Sequence, residues 1–282
     1  MKRKLKIDPA WNLLPAPPLA NSAPVANDNI IECFRDGSVV SVPGIKQFLI
    51  AKDLEASSST VELTDGVIIE DVDAVIFCTG YQTDYSILSP EADPTSFSTP
   101  EWDAAKNSNG LKYPRLYQGL FSTTYSQSLA FIGPWRGHSF AAFSNADLSS
   151  QAIAQVWTGR YKLPPKQEID TWCDDNYKQS LRAIKKHRIA KVGTNAKHLQ
   201  HWLNDAAGNQ INEKLGWGLA GWEFWWNEHE LYSLIMDGMN STYVYRLFEG
   251  RPGGRKPWDG AREAIYKVNG KSMSRKIKPK DV

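Results

Sequence analysis

Led by Asp73, the run Ala74-Val75-Ile76-Phe77-Cys78 places apolar side chains on both alternating faces, then turns polar at Thr79-Gly80-Tyr81. An extended segment with no water-facing side belongs in a sheet covered on both faces. Val72 to Cys78 therefore predicts a buried strand within an α/β architecture. The stop at Gly80 matters as much as the run. A residue without a side chain lets the backbone approach something closely. In open α/β sheets, ligands sit outside the carboxyl ends of the strands. Two readings stand open: a core strand with its turn, or a backbone corner brought up to a cofactor.

The surroundings extend this pattern. The first 28 residues, with LLPAPPLANSAP in their middle, are extended and loop-like, because proline blocks both helix and ladder. A short helix is predicted over Asn29 to Arg35, closed by Gly37. Branched residues in SVVSV (38–42) and IKQFLI (45–50) signal strands. TVEL and VIIE flank Asp65-Gly66, which reads as a hairpin turn. Residues 82–128 are polar, with prolines at 90, 94, 100 and 114, and are expected to run over a surface. LAFIG (129–133) reads as a second short buried strand ending at glycine. Leu148, Ala152 and Val156 then recur four apart, which is one helix face. Ser144 or Asn145 is expected to cap that helix and Gly159 to end it.

Beyond Pro165 the periodicity is helical. Ile169, Trp172, Cys173, Leu181 and Ile184 make one amphipathic stripe, and Leu199, Trp202 and Leu203 another. Trp222, Trp225, Trp226 and His229 are expected on one face of a further helix. Eleven tryptophans are present, and core is the default place for them. The expected class is thus α/β in front with a helical region behind.

Bulk composition excludes several functions. With 282 residues and a net charge of +2, the chain carries no general electrostatic footprint for nucleic acid. The basic ends, MKRKLK and KSMSRKIKPK, read as solvated tails. Cys33, Cys78 and Cys173 lie far apart without a CxxC pair, so neither a disulfide framework nor a zinc site is indicated and a reducing compartment fits. No signal peptide and no run of membrane-spanning length stand out. The expectation is a soluble, cytoplasmic protein, with peripheral membrane association left open.

Other motifs weigh less than they first suggest. GWGLAG places Gly216, Gly218 and Gly221 in a letter-perfect GxGxxG, yet no strand precedes it. A dinucleotide fingerprint needs that strand to aim phosphates at a helix N-terminus. His198 and His201 sit three apart without an obvious third ligand, so no metal site is expected. RGHSFAAFS lacks the second glycine of a nucleophile elbow around Ser139. No catalytic acid, base or nucleophile is conspicuous.

VDAVIFCTGYQTDYSIL (72–88) resembles the C-terminal half of the flavin-containing monooxygenases, a family that uses FAD and NADPH. Cys78-Thr79-Gly80-Tyr81 stands at that family's Ala-Thr-Gly-Tyr signature, with Cys in place of Ala. LAFIG and QAIAQVWTGRYKLP resemble its final flavin-domain strand and helix. YVYRLFEG and KPWDGAREAI resemble its terminal segment, so the likeness runs from about residue 28 to 265. The resemblance implies the C-terminal portion of a fold with two dinucleotide-binding domains, one for FAD and one for NAD(P). Residues 1–71 would end the nicotinamide domain and 72–165 would complete the FAD domain. A helical region would follow over 166–265, with a basic, disordered tail over 266–282.

By the same resemblance, Thr79, Gly80 and Tyr81 would lie where the nicotinamide and flavin domains join. Gly133, Ser144 and Asn145 would lie near the flavin ring, with His138 and Arg136 as pocket-lining residues. The implied activity is oxygenation of a small molecule at a soft nitrogen or sulfur, or of a ketone. The family's two glycine-rich fingerprints fall upstream of the matched region. The chain alone is therefore expected to be incompetent, its other half supplied upstream or by a complementary N-terminal polypeptide, with a homo-oligomer also open. The alternative is a truncated remnant that serves as a protein-interaction module.

Overall fold

The computed structural model describes residues 7–14, 27, 29–49, 59–78, 84–108, 110–132, 142–186, 196–239, 241–252 and 254–272. They fall into two compact units, one ending at residue 83 and the other taking up the chain from Asp84. Helix and sheet are mixed, and every paired strand is antiparallel.

In the first unit, the Asn27 side chain accepts the N–H groups of Asn29 and Ile30 at 3.0 and 2.8 Å. Helix α1 (Ile30–Asp36) starts there and ends at Gly37, whose φ of 80° closes it as expected. Strands β1 (Ile45–Leu49), β2 (Ser59–Leu63) and β3 (Ile68–Val72) form a three-stranded sheet in that order. The β2–β3 turn is Asp65-Gly66, with Gly66 at φ 87°. Val61 and Leu63 provide the buried side chains of this sheet. SVVSV forms no strand.

The central expectation fails on the described residues. Strand β3 ends at Val72, and residues 73–78 join no ladder. Ile76 is 83% exposed and Phe77 69%. A strand exists by pairing, not by composition; no described strand pairs with this run, although the Phe77 ring meets Phe48 of β1 edge-on at 6.1 Å.

The second unit opens with a loop that is less superficial than its prolines suggest. Helix α2 (Pro100–Asp103), capped by the Thr99 hydroxyl, brings Trp102 into full burial. Trp102 and Tyr113 pack with Leu181 and Ile184 in a small core, with Tyr177 at its side. Strands β4 (Leu116–Tyr117) and β5 (Phe121–Ser122) make a tight hairpin. Successive positive φ values at Gln118 and Gly119 supply the twist that such turns need. Of LAFIG, residues 129–132 are described, and they contribute one isolated bridge, Ala130 to Phe121, rather than a strand.

The helices follow: α3 (Ala142–Trp157), α4 (Lys166–Lys186), α5 (Ala196–Ala207) and α6 (Ile211–Lys214). After them come α7 (Leu219–Asn227), α8 (His229–Asp237), α9 (Tyr243–Leu247) and α10 (Ala261–Val268). The main core joins Leu148, Ala152 and Val156 of α3 to Leu199 and Leu203 of α5, with Ile169 and Cys173 from α4. Each buried Leu, Ile or Val among them stabilises by about 1.5–3 kcal/mol relative to exposure. A second core gathers Phe224, Leu231, Leu234, Phe248 and Ile265. The tryptophan expectation is corrected here. His229 opens α8 instead of continuing α7, and Trp217, Trp222 and Trp226 are exposed. Phe224 alone of that aromatic run is buried, because it points at Leu231 and Phe248 while Trp222 and Trp226 lie on the other side of α7.

Candidate functional site

Of the residues expected to meet a cofactor, Ser144 and Asn145 are described. Thr79, Gly80, Tyr81, Gly133, Arg136, His138 and Ser139 lie outside the described residues. Neither Ser144 nor Asn145 caps α3. The helix already runs at Ala142, which places both side chains inside it, 2% and 4% exposed. The cap expectation fails because the helix begins before the polar pair that seemed to start it. What results is unusual for a helix end: two polar side chains buried in the opening turns, followed immediately by the apolar Leu148–Ala152–Val156 stripe. A helix N-terminus carries partial positive charge from its aligned peptide dipoles.

One turn further on, Asp147 meets a network absent from any local sequence pattern. Arg255 grips Asp147 with both arms of its guanidinium, Nη1 to Oδ1 at 3.0 Å and Nη2 to Oδ2 at 2.7 Å. Its Nε donates to Glu249 Oε1 at 2.8 Å, and Nη2 reaches the same oxygen. The Glu249 side chain is 2% exposed, and its second oxygen lies 3.0 Å from Arg246 Nε. That contact is an ion pair without the direction of a hydrogen bond, so both atoms stay buried and unbonded. Burial opposes the charge on Arg255, but the bonds to Glu249 and Asp147 more than offset it and raise its pKa above the ordinary value. Two carboxylates and two guanidiniums thus balance in charge.

The other sequence features resolve into structural roles. Gly216 and Gly221 are required by packing: a methyl on Gly221 would strike the Gly216 carbonyl, and one on Gly216 the Asn212 carbonyl. GxGxxG here lets the α6 end and the α7 start touch. His198 is exposed, and His201 faces Asp205 of its own helix at 3.6 Å. Among the described residues, no group of three metal-ligating side chains converges. Burial pushes the Cys173 thiol up to about 12, so it is an inert core residue. No helix of the described residues is long and apolar enough to cross a membrane.

Tested against a flavin, these residues fit in part. The opening of α3 brings two polar side chains to a positive helix end, though the chain itself already covers Ser144 and Asn145. Among the described residues, no glycine turn between strand and helix offers the backbone donors a pyrophosphate needs.

Comparison with known proteins adds what geometry leaves open. The model of the flavin-binding monooxygenase-like family matches residues 2–281. Monooxygenase aurF of Gibberella zeae is 36% identical over 265 residues, covering 93% of this chain and 48% of its own length. Flavin-containing monooxygenase 3 of Oryctolagus cuniculus is 25% identical over 258 residues, covering 90% and 41%. Dimethylaniline monooxygenase (N-oxide-forming) 4 of Homo sapiens is 24% identical over 248 residues, covering 86% and 37%. The chain spans about half the length of the curated relatives it matches.

Proposed function

Because the chain belongs to the flavin-binding monooxygenase-like family, we propose that it forms the C-terminal portion of an FAD- and NADPH-dependent monooxygenase. The reaction puts one oxygen atom into a small molecule at a soft nitrogen or sulfur, or into a ketone. The observation that carries this reading is the family match across residues 2–281.

Within it, residues up to 71 complete the nicotinamide side, residues 72–165 the flavin side, and residues 166–265 a helical buttress. Thr79, Gly80 and Tyr81 belong where the nicotinamide domain joins the flavin domain. Gly133 and His138 line the flavin pocket with the opening of α3. FAD, when bound and reduced, supplies the activation of dioxygen. The chain's own residues orient and seclude it. Ser144 and Asn145 present polar atoms from a helix end whose positive potential favours negative charge on the ring. The pyrophosphate donors come from glycine-rich turns in the nucleotide-binding half of the enzyme.

The test is a pair of proteins: the 282-residue chain, and a chimera joining the N-terminal half of the 36%-identical fungal relative to it. The chain alone is expected to be colourless and to leave NADPH unoxidised, while the chimera holds flavin and consumes NADPH. A chain that alone retains flavin and oxidises NADPH would remove the need for outside donors. A chimera that folds without flavin would overturn the monooxygenase reading. That result would favour an interaction module, a second reading supported by exposed Trp217, Leu219 and Trp226.

A further inference from the structure

Asp147 lies three residues after Ser144, hence on the same face of α3 and one turn away. It is held from a distant part of the chain. Segment 246–258 is closed on itself by the Trp258 N–H donating to the Arg246 carbonyl at 3.2 Å. It is anchored to the α5–α6 junction by the Gln210 N–H on the Phe248 carbonyl at 2.9 Å. The left-handed Gly250, at φ 109°, turns within this segment, where the Pro257 ring leaves no room for a side chain. This closed loop presents Arg255 to α3.

The apolar stripe and the ion-pair network do different things to the helix. Leu148, Ala152 and Val156 hold α3 against α5 by packed apolar side chains, but that stripe begins at residue 148. A bidentate guanidinium–carboxylate pair is planar and directional, so it fixes both the rotation and the height of the turn it grips. Glu249, buried and itself bonded to Arg255, holds the guanidinium from a second side. Arg255 and Asp147 are each about a third exposed, so their pair adds little to global stability, whereas the Glu249 carboxylate, 2% exposed, relies on Arg255. The Arg255–Asp147 pair is poorly placed to be glue and well placed to be a gauge.

We propose that Arg255 is a positioning residue for α3: its fork on Asp147, braced by Glu249, sets how the turn carrying Ser144 and Asn145 is presented. The consequence for cofactor binding rests on the reading that this turn faces the flavin. Segment 246–258 then controls the flavin-facing end of a helix more than 100 residues upstream, without touching the cofactor.

Asp147→Asn tests this with little risk to folding, because it keeps the shape and leaves the Arg255–Glu249 pair intact. Arg255→Lys is the companion variant, keeping the charge and losing the fork. In the 282-residue chain, either substitution is expected to speed hydrogen exchange about tenfold at the amides of 146–148, the first to bond within the helix as described. The amides of 152–156, packed on α5, should keep their protection. An unchanged pattern, or a loss spread evenly along α3, overturns the proposal. In the chimera, Asp147→Asn should weaken FAD binding severalfold, read by flavin fluorescence. If the parent chimera binds FAD and the variant binds it equally well, the link to the cofactor is overturned. If the parent holds no FAD, the monooxygenase reading fails, and the exchange experiment still decides the role of Arg255.

Discussion

Gly221 has no room for a methyl group where it stands, because the carbonyl oxygen of Gly216 occupies the place of its Cβ. The obstacle is backbone, so it yields only if α6 and α7 move apart. Gly221→Ala is expected to cost about 1–3 kcal/mol, as overpacked sites do. Gly218 lies in the same motif with nothing within 4 Å of its added Cβ and an ordinary φ of −82°. Gly218→Ala at this helix N-cap should cost only about 0.5 kcal/mol. Urea midpoints of the two variants check the order. In a dinucleotide fingerprint the second glycine is the one pressed by the ligand, so a phosphate cradle would make Gly218 the sensitive position. The third glycine is a packing position in either role, so the two readings part at Gly218.

Among the elements, α2 and α4 show how a loop that reads as surface acquires a core. The Trp102 side chain is fully buried, lies 5.0 Å from the Tyr113 ring centroid, and donates its indole N–H to the Leu111 carbonyl at 2.8 Å. It fastens residues 99–113 onto α4. Trp102→Ala is expected to cost about 3–5 kcal/mol, the usual cost for a buried aromatic. Trp226→Ala, at an exposed site, should stay within about 0.5 kcal/mol. Thermal and urea unfolding of both variants test the contrast. The helices were legible in advance, since Leu148, Ala152 and Val156 or Ile169, Cys173 and Ile184 repeat at a local period. So was the Asp65-Gly66 turn, whose chemistry lies within two residues. Strand formation at Val75–Phe77 was not legible, because pairing depends on a neighbour that composition does not specify. Trp102 was missed for a related reason: its partners Tyr113, Leu181 and Ile184 are distant in sequence, and nearby prolines dominated the local pattern. Ser144 and Asn145 could be found as a polar pair before an apolar stripe. Arg255 could not, since its partner Asp147 is 108 residues away.

At the scale of the whole molecule, the two units differ in how much apolar surface they bury. Unit 2 has three interlocked groups of buried side chains, drawn from six or more elements. In the first unit, Val61 and Leu63 are the side chains described as buried, while Phe48, Ile68, Ile76 and Phe77 are exposed. A three-stranded antiparallel sheet needs a hydrophobic face packed on something to persist by itself. At about 25 cal/mol per Å², two buried aliphatic side chains contribute only a few kcal/mol. Ordering the residues of three strands costs about 1–2 kcal/mol each. The sheet is therefore expected to open far more readily than the helical cores, in sub-global steps below the cost of complete unfolding. Native-state hydrogen exchange of the 282-residue chain resolves this directly. Amides of β1–β3 should exchange through sub-global openings whose urea slope is well below that of global unfolding, while those of 152–156 in α3 and of the α5 residues packed on them exchange only through global unfolding. In the chimera, where nucleotide-binding strands are supplied, protection of β1–β3 should rise as Ile76 and Phe77 become covered. Equal protection of β1–β3 and α3 in the isolated chain would refute this ranking.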